Sequence, residues 1–364
     1  MSYRTRRVLF SAPLFAILEF FLLKYIFSLF GGINDVYLLL IVFLLFLLQV
    51  IPMFFEEKKS TAAGRLFSTI FGIWEWFLVM LLIDALLIFI IGRFITISTD
   101  VILFSLLIIL LVGIYAYYNA HQITVKEKTL EFDNLDRDYT IAHLSDVHFG
   151  SVRHKQIIKD LGEKLDELSD ICDLIVISGD LADGSCAVEE DDFTYLKNVK
   201  TPIIFTSGNH DYYPGLESVH KACENAGIII LENEGMVFES LNIYGLSYSF
   251  SDISMPSVED LKEFIREDKL NIINYHVPNG WTYLSDLGFN LQLSGHTHGG
   301  QFYPVTFLGN LIYEGHNMGL FKKTYENDKK HYLHVTTGVG SMDIPMRWGT
   351  KSEIVLLNLK NKNN

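Results

Sequence analysis

Five short polar motifs in the second half of the sequence carry the side chains that could do chemistry. Each contributes carboxylate, amide or imidazole groups, which proteins commonly use to hold cations. Four of the motifs directly follow an apolar, strand-like run of residues. In chain order they are Asp146-Val147-His148, Gly179-Asp180, Gly208-Asn209-His210-Asp211, His276 and Gly295-His296-Thr297-His298.

Seven side chains of these motifs are predicted to ligate two divalent cations. Two pairs are spaced i and i+2, and in extended backbone such residues point the same way. Asp180 can place one carboxylate oxygen on each ion, and Asn209 offers a neutral carbonyl oxygen. Nitrogen and oxygen ligands without thiolate suit manganese, iron or zinc better than magnesium or calcium. The predicted ligands are Asp146, His148, Asp180, Asn209, His276, His296 and His298.

A pair of such cations predicts hydrolysis at phosphorus. Ions about 3.5–4 Å apart lower the pKa of a bridging water, so that it yields hydroxide, and clamp phosphoryl oxygens. A leaving alkoxide still needs a proton, and His210 is the predicted general acid because it directly follows the ligand Asn209. Asp211 is a candidate for orienting that histidine or its loop. The expected substrate is a phosphomonoester or a phosphodiester, including a pyrophosphate.

Alternating strands and helices are expected to position these side chains. From residue 139 onward, apolar runs such as 139–144, 173–177 and 202–205 alternate with helix-like stretches such as 155–168 and 189–198. Near-continuous apolar strands of this kind imply sheets that are covered on their faces. The later part of the chain is richer in strands, so we expect two packed sheets flanked by helices. Ligands that follow strand ends lie where α/β sheets present their active sites.

The motifs resemble those of the calcineurin-like metallophosphoesterase superfamily, which run D-x-H, G-D-x-x-D, G-N-H-D/E, H and G-H-x-H. The resemblance covers about residues 139–359 and implies a four-layer αββα sandwich. It also implies two ligand sets that share Asp180: Asp146, His148, Asp180 and His298 for one ion, and Asp180, Asn209, His276 and His296 for the other. Gly299-Gly300-Gln301 after the last motif is similar to a membrane-associated bacterial subgroup, which includes enzymes similar to UDP-diacylglucosamine hydrolases.

The first third of the chain has a different composition and is predicted to span a membrane. Four apolar runs each reach the roughly 18–20 residues needed to cross a hydrocarbon core. The first run is too long for a signal peptide, and no small-residue cleavage site follows it. The runs are about 8–30, 36–55, 66–91 and 101–118. We therefore predict three segments: a four-helix transmembrane region at 1–120, a charged linker at 121–138 whose first residues could begin a sheet edge, and a metallophosphoesterase domain at 139–360.

Basic residues predict the orientation of this multi-pass block in the cell membrane. They flank the first run, lie between the second and third, and follow the fourth, and such residues favour the cytoplasmic side. The N-terminus and the large domain are therefore expected in the cytoplasm. The basic residues are Arg4, Arg6, Arg7, Lys58, Lys59, Arg65, Lys126 and Lys128.

The composition limits the classes of partner that the chain is expected to bind. The net charge is −14, and the acidic excess lies in residues 121–364. An acidic surface argues against a nucleic-acid partner, because that binding depends on neutralising phosphates. The odd number of cysteines favours free thiols over a disulfide. The Gly338–Ser341 segment is expected to be a turn rather than a phosphate cradle. Arg347 is a candidate either for contacting substrate phosphate or for a surface salt bridge.

Several functions remain open at this point. Tethering beside the bilayer favours a lipid-linked substrate, because it raises the local concentration. A nucleotide phosphodiesterase that is membrane-bound only for its location is an alternative. A catalytically silent metal-binding sensor is a third, and it is disfavoured because both the ligand set and His210 are present. The sequence leaves the oligomeric state undetermined.

Overall fold

Four long helices form the first third of the computed structural model, which describes residues 3–56, 59–250, 256–325 and 329–362. They are α1 (Tyr3–Ser28), α2 (Asp35–Glu56), α3 (Ala62–Ile91) and α4 (Thr99–Ala120). Each is long and apolar enough to cross a membrane by length and composition. Their outer surfaces carry many exposed Leu, Ile and Phe side chains. Contact between such a surface and water is unfavourable, whereas its contact with lipid chains is not.

One end of the helix bundle contacts the rest of the chain. Arg7 near the start of α1 pairs with Asp343 at 2.6 Å, and Lys59 between α2 and α3 lies 3.7 Å from Glu189. At the end of α4, Asn119 donates hydrogen bonds to two backbone carbonyls of the domain. The start of α1, the α2–α3 connection and the end of α4 therefore share one end. Lys58 and the side chain of Arg4, both used above for the orientation, lie outside the described residues.

The rest of the described chain forms two mixed sheets with helices outside them. The helices are α5 (His154–Leu168), α6 (Leu216–Asn225), α7 (Val258–Phe264), α8 (Trp281–Leu287) and α9 (Val305–Ile312). The strands of the first sheet, in sheet order, are β1 (Ile123–Phe132), β12 (Ser352–Asn361), β2 (Tyr139–Leu144), β3 (Leu174–Ser178), β4 (Ile203–Thr206) and β5 (Ile229–Ile230). Those of the second are β10 (Gly319–Thr324), β11 (Lys330–Val335), β9 (Leu291–Ser294), β8 (Leu270–Tyr275), β7 (Leu241–Leu246) and β6 (Glu234–Phe238).

Three apolar layers hold these elements in an αββα order. Alternate residues of a strand face opposite sides, so β3 sends Ile175 and Ile177 toward α5 and α6, and sends Leu174 and Val176 toward the second sheet. The central layer includes Ile243 of β7 and matching residues of β8, β9 and β12. On the far face, α7 and α8 pack against β7 and β8. The four-layer α/β sandwich preceded by apolar helices is thus confirmed.

The structure differs from the predicted elements in several places. The first residues of the segment 121–138, predicted as a linker that could begin a sheet edge, do begin the edge strand β1, but the strand is ten residues long and pairs in parallel with β12 along its whole length. The predicted helix over 189–198 is instead a short 3-10 turn, Thr194–Asn198. Elements β10, α8 and α9 were not predicted, because their short apolar patterns do not separate strand from helix. Among the described residues, Cys172, Cys186 and Cys223 form no disulfide.

Candidate metal centre

The predicted ligands meet where strands of the two sheets end side by side. Asp146 follows β2, Asp180 follows β3 and Asn209 follows β4, while His276 follows β8 and His296 follows β9. In each sheet these neighbouring strands run parallel, so their carboxyl ends lie at one edge. The buried Asn274 side chain of β8 donates hydrogen bonds to Ile177 and Thr206 of the first sheet, which ties the two edges together.

One triad consists of Asp146, His148 and His298. Its three candidate ligand atoms all lie within 4.8 Å of one another, and the three residues are buried. Nε2 of His148 is 3.0 Å from Nε2 of His298, and Oδ1 of Asp146 is 3.3 Å from Nε2 of His298. The atoms converge on one small space, as the ligands of a cation must.

A second triad, Asp180, His276 and His296, lies beside the first. Oδ2 of Asp180 is 3.1 Å from Nε2 of His276 and 3.8 Å from Nε2 of His148. Nε2 of His276 is in turn 3.2 Å from Nδ1 of His296. One oxygen of Asp180 therefore approaches a histidine of each triad, which is the position expected of a shared ligand.

Unsatisfied polar atoms show that the residues present fit cations. Among the described residues, Oδ1 of Asp146 and Oδ1 of Asn209 are buried and have no hydrogen-bond partner. A buried acceptor left unpaired costs about 1–3 kcal/mol, so such atoms usually have a partner. His276 donates its Nδ1–H to the Ser178 carbonyl at 2.7 Å, which leaves Nε2 for a metal. The donor set of carboxylate, amide and imidazole suits divalent manganese, iron or zinc.

Most of the predicted ligands have left-handed backbone conformations. Outside glycine this conformation is uncommon, and it costs on the order of 1–3 kcal/mol per residue unless the surroundings impose it. The affected ligands, with φ in degrees, are Asp146 (51), His148 (51), Asp180 (54), His296 (71) and His298 (51). Asp146 and His148 therefore converge through tight turns after β2, and not through the strand alternation that the i, i+2 spacing suggested.

Backbone hydrogen bonds between the loops hold those turns. The N–H of Asp146 donates to the Gly179 carbonyl at 2.9 Å, and the N–H of His148 donates to the Asp180 carbonyl at 3.1 Å. The Asp211 carboxylate accepts from the N–H groups of Asp180, Ala182 and Gly208 at 2.8–2.9 Å. Asp211 thus orients the ligand loops and does not contact the His210 ring through any described hydrogen bond.

The electrostatics of the triads favour positive charge. Burial opposes protonation of His276, but the neighbouring Asp180 carboxylate outweighs it and raises the pKa of His276 to about 9. Burial opposes ionisation of Asp146, yet the surrounding histidines, His298 first, hold the pKa of Asp146 well below its usual range. Without cations His276 therefore holds a proton, which an incoming cation would replace.

His210 lies at the rim of the two triads. Its ring centroid is 5.0 Å from that of His148, and its Nδ1–H donates to the Asp183 carbonyl at 3.0 Å. This bond fixes the ring and leaves Nε2 for exchange with a substrate. Burial lowers the pKa of His210, but Asp180 and the Asp183 carbonyl outweigh burial, so the pKa is raised.

The structure corrects the expectation for Arg347. Its side chain is fully buried, so it is neither a surface ion pair nor free to meet a phosphate. It donates to the carbonyls of Gly340, Thr337 and Lys351. Its Nη2, the nitrogen that donates to Thr337, also lies 3.4 Å from Nδ1 of His298. Arg347 is a positioning residue that fixes the loop behind the first triad.

The Gly338–Ser341 segment packs against a ligand instead of cradling a phosphate. The N–H of Gly340 donates to the Asp146 carbonyl at 2.7 Å. A Cβ on Gly338 would lie 2.7 Å from Cβ of Asp146, and one on Gly340 would lie 2.0 Å from the Val147 carbonyl oxygen. These glycines permit the close approach that seats Asp146.

Sequence reasoning missed some residues of the site. The Tyr313 ring lies 5.9 Å from the His296 ring, and burial, with Asp146 nearby, raises the pKa of Tyr313. Ser145 donates its hydroxyl to Asp146, and Ser178 supplies the carbonyl that orients His276. A serine directly before a motif aspartate was visible in the sequence, whereas nothing near Tyr313 in the chain indicated the metal centre.

Comparison with known proteins identifies relatives of this chain. Residues 139–300 match the family model described as calcineurin-like phosphoesterase. An uncharacterized metallophosphoesterase of Campylobacter jejuni is 32% identical over 267 residues, which are 71% of this chain and 69% of that protein. One of Helicobacter pylori is 29% identical over 245 residues, 66% of this chain, and the match spans 64% of its length.

One vertebrate relative is described by its name as a transmembrane protein. A zebrafish (Danio rerio) "transmembrane protein with metallophosphoesterase domain" is 28% identical over 239 residues, 60% of this chain and 52% of that protein. The family model covers the strands that present Asp146, Asp180, Asn209, His276 and His296. The chain therefore belongs to the calcineurin-like phosphoesterase family.

Proposed function

We propose that the chain hydrolyses a phosphomonoester or phosphodiester at a dinuclear metal centre, while anchored in a membrane. The observation that carries the proposal is the convergence of two triads around one Asp180 oxygen, with His210 at their rim. The seven predicted ligands would hold the cations. When bound, the cations supply Lewis acidity toward water and phosphoryl oxygens.

His210 supplies the proton in this proposal. Its Nδ1–H is committed to the Asp183 carbonyl, so Nε2 carries the proton that a leaving oxygen needs. Asp180 and the Asp183 carbonyl outweigh burial and raise the pKa of His210, which favours the protonated ring that a general acid needs. Asp211 acts only by holding the loops of Asp180 and Asn209 in place.

Loss of His210 is the experiment that tests the reaction. Full-length protein in detergent, loaded with manganese, iron(II) or zinc in turn, is expected to hydrolyse nitrophenyl phosphate or bis-nitrophenyl phosphate. His210→Ala should lower kcat by about 10²–10⁴-fold, with more effect on an alkyl phosphoester, whose leaving group needs the proton more. Metal content should be unchanged.

His121→Ala is the matched control, because His121 bonds the Tyr117 carbonyl at the end of α4 and is outside both triads. It should leave kcat within about twofold, because it alters neither the predicted ligands nor His210. No turnover of any phosphoester by metal-loaded protein would contradict the enzyme and favour the silent sensor. Equal losses of kcat in the His210→Ala and His121→Ala variants would argue against His210 as the general acid.

We further propose a lipid-linked substrate, with the domain on the cytoplasmic side of the membrane. The metallophosphoesterase domain would include β1 and follow a membrane block at 1–120. Support comes from the contacts that join the start of α1, the α2–α3 connection and the end of α4 to the domain. A tethered active site meets membrane-borne substrates at a high local concentration.

A nucleotide substrate is a second candidate, favoured by aromatic rings beside His210. The Tyr213 ring lies 5.0 Å from the His210 ring, and the Phe250 ring lies 6.4 Å from that of Tyr213. Phe250 is 62% exposed, so a base could stack on it. Comparing turnover of phosphatidic acid with that of a nucleotide diester on the same preparation decides between them.

A further inference from the structure

Helix α9 presents its large apolar side chains outward, and its buried side is formed by two small residues. Thr306 and Gly309 are the buried residues of the helix. A helix on a water-soluble domain shows the opposite arrangement. Other exposed large apolar residues of the described domain are scattered singly along the chain. The exposed apolar residues of α9 are Val305, Phe307, Leu308, Leu311 and Ile312, with Leu311 at 80%.

The start of α9 is fixed against the transmembrane helices. Phe302, just before the helix, belongs to a cluster that includes Trp76 of α3 and Ala116 of α4. The Tyr303 ring lies 5.1 Å from the Phe307 ring and 5.5 Å from the Trp348 ring, and Trp348 packs on the same cluster. The apolar face of α9 is therefore continuous with the surface of the helix bundle.

The length of α3 indicates the depth of this contact. Its 30 residues span about 45 Å at about 1.5 Å per residue, whereas a hydrocarbon core is about 30 Å thick and needs about 20 residues. If about 20 residues are counted back from Ile91, at the end of α3 farther from the domain, the count reaches Gly72. Trp76 then lies inside the apolar layer, and Phe302, which packs on it, lies at the level of the near leaflet.

We infer that α9 is inserted into the membrane leaflet beside the mouth of the metal centre, with its exposed face among lipid acyl chains. The helix carries no Asp, Glu, Lys or Arg, which suits an apolar layer. In this inference lipid covers the exposed face of α9, and not a water-soluble partner protein. The reason is that the neighbouring surfaces of α3 and α4 are also apolar and exposed. Interfacial helices of this kind bury an apolar face about 5–10 Å into the boundary of headgroups and chains.

The far end of α9 leads toward the metal centre. Ile312 and Tyr313 line a cavity of about 290 Å³ together with Trp281 and Tyr283. Tyr313 also contacts His296 of the second triad. A phosphoester headgroup held at the bilayer surface therefore has a short path to the ligands. The assignment of a lipid phosphoester as substrate rests on the proposed reaction, whereas the contact of α9 with lipid rests only on the proposed membrane anchoring.

The test measures the environment of α9 without measuring turnover. Cys172, Cys186 and Cys223 are first replaced by Ser, and a spin label is attached at Leu311→Cys or Leu308→Cys in full-length protein reconstituted into phosphatidylcholine–phosphatidylglycerol vesicles. Collision rates with oxygen, which partitions into lipid, and with a nickel chelate, which stays in water, are then compared. Val237→Cys on β6, an exposed apolar position in the second sheet, is the matched control.

Insertion predicts an oxygen-to-nickel collision ratio several-fold higher at 308 and 311 than at 237. A nickel-dominated, water-like ratio at 311 would overturn the inference. Low accessibility to both reagents would also overturn it, because a second copy of the chain or another protein would then cover the face. Phosphoester hydrolysis by the unlabelled protein is measured separately, so failure of the proposed reaction and failure of insertion are distinguishable.

Discussion

Single side chains of the candidate metal centre differ in how many of the two triads they approach. Asp180 approaches histidines of both triads through Oδ2, while its Oδ1 accepts the N–H of His210 at 2.8 Å. Asp183, three residues later, instead accepts the N–H of Ser185 at 2.6 Å and belongs to neither triad. The two carboxylates are close in sequence and chemically equal, and the structure gives them different roles.

Asp180→Asn should therefore weaken both cation sites at once. The neutral amide keeps the shape but removes the charge that attracts cations, so metal content should fall below one ion per chain after dialysis, and phosphoester turnover should be lost. Elemental analysis by mass spectrometry measures the metal content. Asp183→Asn is the control and should retain its metal; equal depletion in both variants would argue against a shared role of Asp180.

Metal uptake should release protons. His276 must be neutral to ligate, and its pKa in the metal-free site is about 9, so at pH 7 an entering cation displaces a proton. Affinity should thus fall as the pH falls below 9. Calorimetric titration with manganese in buffers of different ionisation enthalpy counts the protons, and a count of zero at pH 7 would contradict the assignment.

At the scale of elements, loops from distant parts of the chain fix the ligand turns. The segment before β12 holds Asp146 through the Gly340 N–H, and Arg347 fixes that segment through buried carbonyls. The same segment contacts the helix bundle, because the N–H of Arg347 donates to the Ala116 carbonyl at 2.9 Å. The segment before β12 therefore contacts both the candidate metal centre and the end of α4.

Gly340→Ala should damage the metal centre through sterics. The added methyl group would meet the Val147 carbonyl oxygen and push the Asp146 turn away, so we expect loss of cation binding at the first triad and a lower Tm. Gly227→Ala is a control, since its φ of +76 strains the backbone but its Cβ meets open space. That variant should lower stability by only about 1 kcal/mol and keep its metal. Retention of both ions in Gly340→Ala would refute the close-packing argument.

On the scale of the whole molecule, the helix bundle has two different ends. One end contacts the domain through Arg7 and Lys59, and the other ends in connections that include Arg93 and Phe94. Basic residues are concentrated at the domain end, which favours the cytoplasm for that end. We therefore propose that the metal centre faces the cytoplasmic leaflet.

Sided labelling tests this orientation. Phe94→Cys, at a position that is 84% exposed between α3 and α4, should react with an impermeant maleimide in intact spheroplasts. Lys59→Cys should react only after permeabilisation. The native cysteines lie in the domain and should be silent in intact cells under the same assignment. The reverse labelling pattern would place the domain outside the cytoplasm.

The sequence by itself determined the elements whose cause is local. Long apolar runs predicted α1 to α4, and apolar runs that end in polar motifs predicted the central strands of both sheets. The motif residues were also predicted, because the donor chemistry of aspartate, asparagine and histidine is a property of the side chain itself. Composition, periodicity and motif order required no knowledge of the contacts between distant segments.

Only the tertiary structure decided features that depend on segments far apart in the chain. β1 joins the first sheet through β12, more than 200 residues later, and no local pattern indicates that pairing. The burial of Arg347, the left-handed turns of the ligands and the outward apolar face of α9 have the same origin. Each of these conformations is unfavourable in an isolated segment, and each is stabilised by neighbours that only folding, or a surrounding membrane, brings to it.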